Sequence, residues 1–538
     1  MDYGYYLKRA ARLFGDNVAV RASDSTTGRT YAEVDERADG LAAFLVSRGV
    51  AVGDRVADVQ WNRPEVLDID FGVARSGGVR VPLNARASTV ELIQVLEIAQ
   101  PKVLIIGPEF ADIVPELRAA VSSVEHVIGC SGSQCTPYEE AIAEGWASLQ
   151  AGTCTLPSIS IDDTLSLKFT GGSTGVPKGT VRTHRAQEAI ALNILLDLYA
   201  FQEDDCLLQI QPMSHGGGAF VLTSVIRGAM QLTMARFDAG KVVELINQGV
   251  ITSIKLVPTM LLRILEQIPA SGELSSESRL RGIIYGAAPM PGEPLRRAMS
   301  IFGPILIQTY GQTEAPITIT ALSAEQHRLA VEDQTDRLSS AGKPYATVSV
   351  EIRDLDGRAL PRGERGEICV KGPMTMERYW NNDNPGIDPD GWVHTGDIGI
   401  MDADGYVYLL DRLNDMIITG GFNVYPREVE EVIYDIPGVK QAVVLGMQHA
   451  DWGESVVAVV VPHDNTVLHA AALSAFISAR LSKYKVPKTF VITDGLPETA
   501  TGKVTRRGVR DALLESLGEF PHDDAEVLWT RTLESERS

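Results

Sequence analysis

The sequence predicts an α/β fold, in which a large N-terminal domain of parallel sheets and helices carries a small β-barrel-like subdomain. A small, mobile α+β domain follows toward the C-terminus. The chain has 538 residues, enough for several domains of about 150 residues each. Short β-branched runs alternate with amphipathic stretches, as in helices packed on parallel sheets. The turn composition also changes near residue 350.

The candidate strands of the large domain are short apolar runs at residues 103–106, 165–169, 207–210, 254–257, 283–285 and 305–308. Apolar residues with helical spacing lie between them, at residues 88–100, 239–250 and 259–268. Because parallel strands need long crossover connections, this alternation favours a largely parallel sheet.

Turn-forming sequence dominates after residue 350. Segments that end in Gly357, Gly366 and Gly405 combine glycine with aspartate or proline, which is typical of hairpins and predicts the small barrel. After about residue 414 the alternation resumes, and Pro426 opens a helix. We therefore predict an N-terminal domain at 1–411, a hinge at 412–415, a C-terminal domain at 416–515 and an acidic tail at 516–538.

Charge and composition exclude several classes of protein. Lysine and arginine number 49 against 70 aspartates and glutamates, a net charge of −21, so we expect no nucleic-acid partner. The N-terminus lacks the apolar core of a signal peptide, and no run approaches the ~18 apolar residues of a membrane span. We expect a cytoplasmic protein without stable membrane insertion. The sequence leaves the oligomeric state open.

The most informative segment is Leu165-Ser-Leu-Lys-Phe-Thr-Gly-Gly-Ser-Thr-Gly-Val-Pro-Lys-Gly179. An alternating strand breaks into a glycine-rich loop. Glycines let backbone amides approach a phosphate, hydroxyls add donors, and Lys178 adds charge. The loop also matches the Gly-x-Ser-x-Gly pattern of a hydrolase nucleophile elbow. Pro177 and Gly179 disfavour the helix that such an elbow needs, but this alternative stays open.

Further motifs follow the loop along the chain: Gln211-Pro-Met-Ser-His-Gly-Gly-Gly218, Gly286-Ala-Ala-Pro289, Tyr310-Gly-Gln-Thr-Glu-Ala-Pro316, His394-Thr-Gly-Asp397, Asp411-Arg412, Gly420-Gly-Phe-Asn-Val-Tyr-Pro426 and Leu496-Pro-Glu-Thr-Ala-Thr-Gly-Lys-Val-Thr-Arg506. In this order they resemble the adenylate-forming (AMP-binding) superfamily. Its members include acyl-CoA synthetases, peptide-synthetase adenylation domains and beetle luciferases. The resemblance covers residues 15–515 and is closest to acyl-CoA synthetases.

The resemblance implies a nucleotide site. Tyr310 would stack on adenine, Thr313 would reach the α-phosphate, and Asp397 would accept the ribose hydroxyls. Glu314 and Thr174 would bind Mg²⁺, a hard cation that prefers oxygen ligands. Outside this context, Glu314 would be a solvated acid and Asp397 a turn residue. The implied nucleotide-binding residues are Thr170, Gly171, Gly172, Ser173, Thr174, Gly175, Lys178, Gly286, Ala287, Ala288, Pro289, Gln308, Tyr310, Gly311, Thr313, Asp397 and Arg412.

The resemblance also implies an acid pocket and a thiol tunnel. His215 would lie beside the carboxylate, although a buried structural histidine is the alternative. The implied acid pocket consists of His215, Gly216, Gly217, Gly218, Gly286, Gly311 and Gln312. The CoA tunnel would be lined by Gly420, Gly421 and Phe422.

The implied catalytic residues are Lys503, His215, Thr174 and Glu314. The Lys503 ammonium would lower the repulsion between a carboxylate and the α-phosphate it attacks. The substrates are ATP, CoA and a carboxylic acid or acyl-adenylate, with Mg²⁺ as cofactor. After adenylation the small domain would rotate about Asn414, so that the CoA thiol can displace AMP.

Several alternatives remain open at this point. Gly171 stands where the family usually has serine, so the enzyme could thioesterify only a preformed acyl-adenylate. It could instead load a carrier protein, or be a non-catalytic adenylate sensor. No aspartate follows the strand at 207–210 to meet an amine, which favours a non-amino acid. The glycines at 216–218 suggest a bulky, hydrophobic one.

Overall fold

The computed structural model describes residues 1–129, 135–170, 177–269, 272–288, 290, 292–333, 335–354, 356–382, 386–419, 422–449, 451–464, 466–498, 504–517 and 526–528. Some predicted site residues lie outside these ranges: Gly171, Gly172, Ser173, Thr174, Gly175, Pro289, Gly420, Gly421 and Lys503. For Thr170 and Asn414 only the backbone is described.

The chain divides into two compact units. Unit 1 consists of Met1–Val350, Cys369–Thr395 and Gly405–Val407, and unit 2 consists of Glu351–Ile368, Gly396–Asp404 and Tyr408–Ser538. The domain limits drawn from the sequence at residues 411, 415 and 515 remain predictions.

Helices and strands alternate along most of the chain. The helices are α1 (Tyr3–Phe14), α2 (Tyr31–Ser47), α3 (Glu65–Arg75), α4 (Thr89–Ala99), α5 (Val114–Ala120), α6 (Tyr138–Gln150), α7 (His184–Asn193), α8 (Val221–Arg227), α9 (Ala239–Asn247), α10 (Pro258–Gln267), α11 (Gly292–Phe302), α12 (Ala324–Glu332), α13 (Pro426–Tyr434), α14 (Ala470–Ser478) and α15 (Arg506–Leu517). Within the described ranges, none of the helices has both the length and the apolar character needed to span a bilayer.

Strands of unit 1 form two sheets. The strands are β1 (Val18–Ala22), β2 (Gly28–Thr30), β3 (Arg55–Val59), β4 (Val79–Pro82), β5 (Val103–Ile106), β6 (His126–Ile128), β7 (Thr164–Thr170), β8 (Lys178–Thr183), β9 (Cys206–Gln209), β10 (Met230–Thr233), β11 (Ser253–Leu256), β12 (Gly282–Gly286), β13 (Leu306–Tyr310), β14 (Thr320–Leu322) and β15 (Lys343–Pro344). One sheet has the order β6-β5-β3-β4-β7-β8 and the other β15-β14-β13-β12-β11-β9-β10-β1-β2.

Most of the pairs in these two sheets are parallel, as predicted. Antiparallel pairs occur at the edges, between β7 and β8 and at β13-β14-β15 and β1-β2. Helices cover the sheets because apolar stripes pack on apolar strand faces. In one core, Leu92 and Leu96 of α4 pack with Leu104 of β5 and Leu167 of β7. The predicted parallel α/β domain is therefore confirmed.

The turn-rich region after residue 350 forms one four-stranded sheet. Its strands are β16 (Ser349–Arg353), β17 (Gly366–Lys371), β18 (Val393–Met401) and β19 (Val407–Arg412), and they pair in chain order. The predicted hairpins are present. The four strands form one continuous sheet in the described ranges, and the closure of this subdomain into a barrel remains a prediction.

The C-terminal part of unit 2 is a small α+β layer. Its strands are β20 (Ile417–Thr419), β21 (Phe422–Val424), β22 (Val439–His449), β23 (Gly453–Pro462), β24 (Thr489–Ile492) and β25 (Glu526–Leu528). The long hairpin β22-β23 is antiparallel, and β24 extends it in parallel. Helix α13 begins at Pro426, as predicted, and buries Val429 and Ile433.

Candidate active site

The predicted phosphate loop connects two antiparallel strands. β7 leads into it and β8 follows it, with Thr170 opposite Lys178. A hydrolase nucleophile elbow requires a helix directly after its serine. The described chain instead resumes as a strand at Lys178. The hydrolase alternative is therefore wrong.

Lys178 approaches Glu314 through an intervening tyrosine. The Lys178 Nζ lies 5.3 Å from the centroid of the Tyr379 ring, within cation–π range. The Tyr379 hydroxyl donates a hydrogen bond to Oε1 of Glu314 over 2.8 Å. The Met376 amide donates to the Glu314 carbonyl oxygen, also over 2.8 Å. The structure thus brings Lys178, a predicted nucleotide-binding residue, and Glu314, a predicted metal ligand, to the same tyrosine.

Burial and charge set the protonation of the groups around Glu314. Burial and the Glu314 carboxylate raise the pKa of the Tyr379 hydroxyl, so Tyr379 remains a donor. Arg182 on β8 is buried, and its Nη2 donates to the Thr313 carbonyl oxygen over 3.3 Å. Burial lowers the pKa of Arg182 to about 10, and the Glu314 charge opposes that shift. Arg182 therefore remains a cation at neutral pH.

The Glu314 carboxylate fits a magnesium ligand. It is half-buried, and Tyr379 orients its Oε1. Within the described residues, its Oε2 accepts no hydrogen bond. A carboxylate oxygen held in this way suits Mg²⁺, which usually takes one or two carboxylates in addition to phosphate oxygens and water.

The predicted adenine-binding turn follows β12 at the carboxyl edge of the large sheet. Gly286 pairs with Thr309 of β13, and a Cβ at Gly286 would lie 2.2 Å from the Thr309 carbonyl oxygen. Only glycine fits there. Ala287 has a φ of 69°, which residues other than glycine rarely adopt. Because β12 and β13 are parallel, Gly286 and Tyr310 end at the same edge, where open α/β sheets bind ligands.

Other predicted residues lie along the same edge. Gln308 is half-buried on β13 and accepts a hydrogen bond from the Tyr285 hydroxyl over 3.4 Å. Gln312 donates to the Thr395 carbonyl oxygen over 3.2 Å. Ala288 is half-buried after the turn, and Gly311 and Thr313 flank Gln312.

The predicted ribose-binding pair lies in unit 2. Asp397 on β18 is buried, and Nε of Arg412 on β19 lies 2.7 Å from its Oδ1. The Arg412 side chain is 53% exposed. The pair therefore offers a buried acceptor beside an accessible cation. Asp397 is an ion-pair partner rather than an isolated turn residue.

The predicted acid-binding segment forms a tight turn after β9. Asn62 holds its start, because its amide donates to the Gln211 carbonyl oxygen over 2.9 Å and its Oδ1 accepts from the Met213 amide over 2.9 Å. His215 is exposed, and its Nδ1 lies 2.9 Å from the Ser214 hydroxyl oxygen. The alternative of a buried structural histidine is therefore wrong.

Gly216, Gly217 and Gly218 open a short 3₁₀ helix that ends at Phe220. A Cβ at Gly218 would lie 2.2 Å from the Met213 carbonyl oxygen, so the turn requires glycine there. Gly218 and Arg182 line one small polar cavity. Since Arg182 also holds Thr313, this cavity joins the acid-binding segment to the segment that contains Glu314.

The hinge and tunnel predictions lie in unit 2. Arg506 pairs with Asp411 and with Asp415, both at 3.2 Å, and so contacts both sides of the predicted hinge at Asn414. Phe422 is exposed, and its ring stacks on Tyr484 with centroids 4.7 Å apart.

Sequence reasoning did not identify Arg182 or Tyr379 as site residues. Arg182 shares a face of β8 with Lys178 and Thr180, and a charge on a short strand is usually interpreted as solvent-exposed. Tyr379 is distant in the chain from the residues it contacts. The pairing of Thr180 with Tyr379, together with the hydrogen bond of the Met376 amide to the Glu314 carbonyl oxygen, brings Tyr379 to Glu314.

Comparisons with known proteins agree with this geometry. The profile of a family described as AMP-binding enzyme matches residues 7–380, and that of the AMP-binding enzyme C-terminal domain matches residues 428–503. The medium/long-chain-fatty-acid–CoA ligase FadD8 of Mycobacterium tuberculosis is 34% identical, over 92% of this chain and 86% of its own. A feruloyl-CoA synthase of an Amycolatopsis species is also 34% identical, over 94% and 98%.

A solved structure with the same architecture is that of o-succinylbenzoate CoA synthetase from Bacillus subtilis in complex with its acyl-adenylate intermediate. It superposes with a TM-score of 0.79 at 30% identity, over 96% of this chain and 98% of the other.

Proposed function

The chain belongs to the AMP-binding enzyme family and is an AMP-forming acid–thiol ligase that uses ATP and CoA, and we propose that its acid is a bulky, hydrophobic, non-amino carboxylic acid. The observation that carries this proposal is the exposed His215 on a glycine turn that is joined through Arg182 to the segment of Glu314. This arrangement supports an acid-binding segment that would lie beside a site for a triphosphate.

The charges near the acid-binding segment support a non-amino substrate. The acidic side chains that most closely precede this segment in the sequence already have other hydrogen-bond or ion-pair partners. Glu203 accepts a hydrogen bond from Asn17 over 2.9 Å, and Arg281 pairs with both Asp204 and Asp205. A substrate ammonium would find none of these carboxylates unpaired. The names of the relatives indicate fatty, feruloyl and succinylbenzoyl groups for those proteins, all carboxylic acids with large apolar parts.

The first half-reaction forms an acyl-adenylate. A carboxylate oxygen attacks the α-phosphorus, and the bond from that phosphorus to pyrophosphate breaks. Lys503 would lie between the two anions and lower their repulsion. Bound Mg²⁺ would offset phosphate charge. Glu314 would be its ligand on the described chain, where the Tyr379 hydroxyl donates a hydrogen bond to the Glu314 carboxylate. Tyr310 and Gly286 would bind the adenine, and Asp397 the ribose.

The second half-reaction transfers the acyl group. After losing its proton, the CoA thiol attacks the acyl carbon, and AMP leaves with the electrons of the broken bond. Gly420, Gly421 and Phe422 would line the approach of the thiol. The two half-reactions would use two orientations of the small domain, related by rotation at Asn414.

Two alternatives have direct tests. If Gly171 has abolished adenylation, the protein will make thioester only from a supplied acyl-adenylate, and Gly171→Ser will accelerate pyrophosphate release. If it loads a carrier protein, a phosphopantetheinylated carrier will accept the acyl group faster than CoA does.

The experiment that tests the proposal is competition among acids. The full chain is supplied with MgATP, CoA and equal amounts of fatty, aryl, alicyclic and amino acids. The CoA thioesters that form are identified and quantified by mass spectrometry. We expect thioesters of bulky apolar acids with matching AMP. An aminoacyl thioester as the main product would contradict the proposal.

A further inference from the structure

Lys168 links the strand that enters the phosphate loop to the acid-binding segment. The proposed mechanism assigns this lysine no role. It lies on β7 two residues before Thr170, on the strand that enters the phosphate loop. Its ammonium Nζ donates a hydrogen bond to the backbone carbonyl oxygen of Ser214 over 2.9 Å. Ser214 directly precedes His215 in the acid-binding segment. We propose that Lys168 is a positioning residue, which holds the acid-binding segment at residues 213–218 against the strand that enters the phosphate loop.

Among the described residues around Lys168, the Ser214 carbonyl oxygen is the hydrogen-bond acceptor of its ammonium group. Lys168, Gly218 and Arg182 line the same small cavity, together with Asp70, Arg80 and the hydroxyl-bearing Tyr3. Among the described residues, Lys168 forms no ion pair and has no other hydrogen-bond acceptor. A lysine placed beside two arginines needs an acceptor to offset the cost of desolvation.

The nearby carboxylates are already engaged. Asp58 takes two hydrogen bonds from Arg80, at 2.8 and 2.9 Å. Asp70 accepts from Arg80 over 2.7 Å and from the Tyr3 hydroxyl over 2.6 Å. Both acids therefore neutralise Arg80. The Ser214 carbonyl is what remains for Lys168.

The hydrogen bond acts at the middle of the segment. Asn62 holds the start through Gln211 and Met213. Lys168 holds Ser214, whose hydroxyl contacts His215. If Lys168 is removed, Asn62 is the side chain that still holds residues 211–214 by hydrogen bonds, among the residues that the structure describes. The segment would then sample more conformations, and binding of the acid would weaken.

Protonation would tune this anchor near neutral pH. Burial, together with the charges of Arg80 and Arg182, lowers the pKa of Lys168 to about 7 against the opposing charges of Asp70 and Asp58. An ammonium donates a stronger hydrogen bond than a neutral amine. The anchor is therefore strongest below pH 7. We expect the KM for the acid to rise as the pH increases through about 7.

The inference rests on the proposed function, so its test includes a measurement that does not need turnover. Hydrogen–deuterium exchange is followed in the full chain for the peptide that covers residues 211–220. The Gly217 and Gly218 amides bond to carbonyl groups within this turn. We expect Lys168→Met to speed their exchange. Lys241→Met is the control, because it removes an equal charge from an exposed pair with Glu244.

Kinetics then separate positioning from general damage. We expect Lys168→Met to raise the KM for the acid about tenfold, the loss of one hydrogen bond from a charged donor, with the KM for ATP unchanged. Lys168→Gln keeps a donor without a titrating charge. We expect this variant to have a KM for the acid between those of the wild type and Lys168→Met, and we expect that KM not to change with pH. Unchanged exchange, or a fall in kcat with unchanged KM and pH profile, would overturn the inference. Absence of any acyl-CoA product from the wild type would count against the proposed function, while exchange would still decide the role of Lys168.

Discussion

The Tyr379 hydroxyl donates to Glu314 Oε1 over 2.8 Å, although 65 positions separate the two residues in the chain. The bond orients a carboxylate that we propose as a ligand of Mg²⁺. It also leaves Oε2 without a hydrogen-bond partner in the described part of the chain. The orientation of this ligand therefore depends on a residue outside the motif.

We expect Tyr379→Phe to raise the Mg²⁺ concentration needed for half-maximal pyrophosphate release by about tenfold. Removing the group that orients a metal ligand typically lowers metal affinity by about 10- to 100-fold, and we expect the lower end of that range. Glu314→Gln should cost more, because the ligand itself loses its charge. The measurement is the rate of pyrophosphate release against Mg²⁺ concentration. Tyr408→Phe, which removes a similar bond to Asp402, is the control. Superimposable Mg²⁺ curves for the two tyrosine variants would contradict the role of Tyr379.

We expect Asp397→Asn to raise the KM for ATP by roughly tenfold. If Asp397 binds the ribose as proposed, the substitution would weaken hydrogen bonds from the ribose hydroxyls and would remove the ion pair with Arg412, and each charged hydrogen bond contributes about 1.5–3 kcal/mol. ATP–pyrophosphate exchange gives the KM directly. Asp356→Asn is a matched control, because Asp356 and Arg358 form an exposed pair. An unchanged KM in a folded Asp397→Asn protein would show that the ribose binds elsewhere.

Substitution at the predicted hinge should separate the two half-reactions. Proline fixes φ near −65°, so Asn414→Pro should preserve one orientation of the small domain and one half-reaction, and cripple the other. Lys503→Ala should lose adenylation and still convert a supplied acyl-adenylate to the thioester. Each half-reaction is assayed alone, as pyrophosphate release and as thioester formation from acyl-adenylate. Equal losses in both assays for Asn414→Pro would count against the hinge.

Two buried histidines should make unit 1 sensitive to acid. His184 accepts a hydrogen bond from the Tyr3 amide over 3.0 Å, and His327 lies 2.8 Å from the Tyr285 hydroxyl. Burial lowers the pKa of each to about 4. Both are neutral in the fold and gain a proton near pH 6.5 when unfolded. Their contribution is complete above that pH and is lost as the pH falls toward 4, by roughly 3 kcal/mol each.

The measurement for this prediction is the urea midpoint at a series of pH values between about 7 and about 4. His327→Gln should flatten the dependence on pH, whatever its effect on the midpoint at neutral pH. His469→Gln, at an exposed position, should leave the slope unchanged. A slope that His327→Gln does not change would contradict the assignment.

Helices and strands were predictable where the spacing of apolar residues and the positions of turn-forming residues indicate the same element. Residues 103–106 form β5 as predicted, and the predicted helix at 88–100 is α4 (Thr89–Ala99), whose start is a capping box at Ser88. The small barrel-like subdomain stays a prediction beyond its four paired strands, because turn residues locate hairpins but do not determine how many strands pair. That number depends on contacts between distant segments.

The site was predictable only as far as its motifs reach. Glu314, Tyr310 and Asp397 lie in contiguous motifs. Tyr310 ends β13, Glu314 follows that strand in a bend, and Asp397 lies within β18. Arg182, Tyr379 and Lys168 lie in no motif, and their roles arise from pairing between β7, β8 and segments far along the chain. An isolated lysine or arginine on a strand has no sequence signal that distinguishes an anchor from a solvated charge.

The measurement that tests the central claim most directly is a stoichiometric assay of the purified full chain with MgATP, CoA and a bulky apolar acid identified in the competition experiment. We predict that AMP, pyrophosphate and acyl-CoA form in equal amounts, and that omission of CoA leaves an acyl-adenylate on the protein. Formation of ADP and phosphate, or of thioester without AMP, would contradict an adenylate-forming ligase.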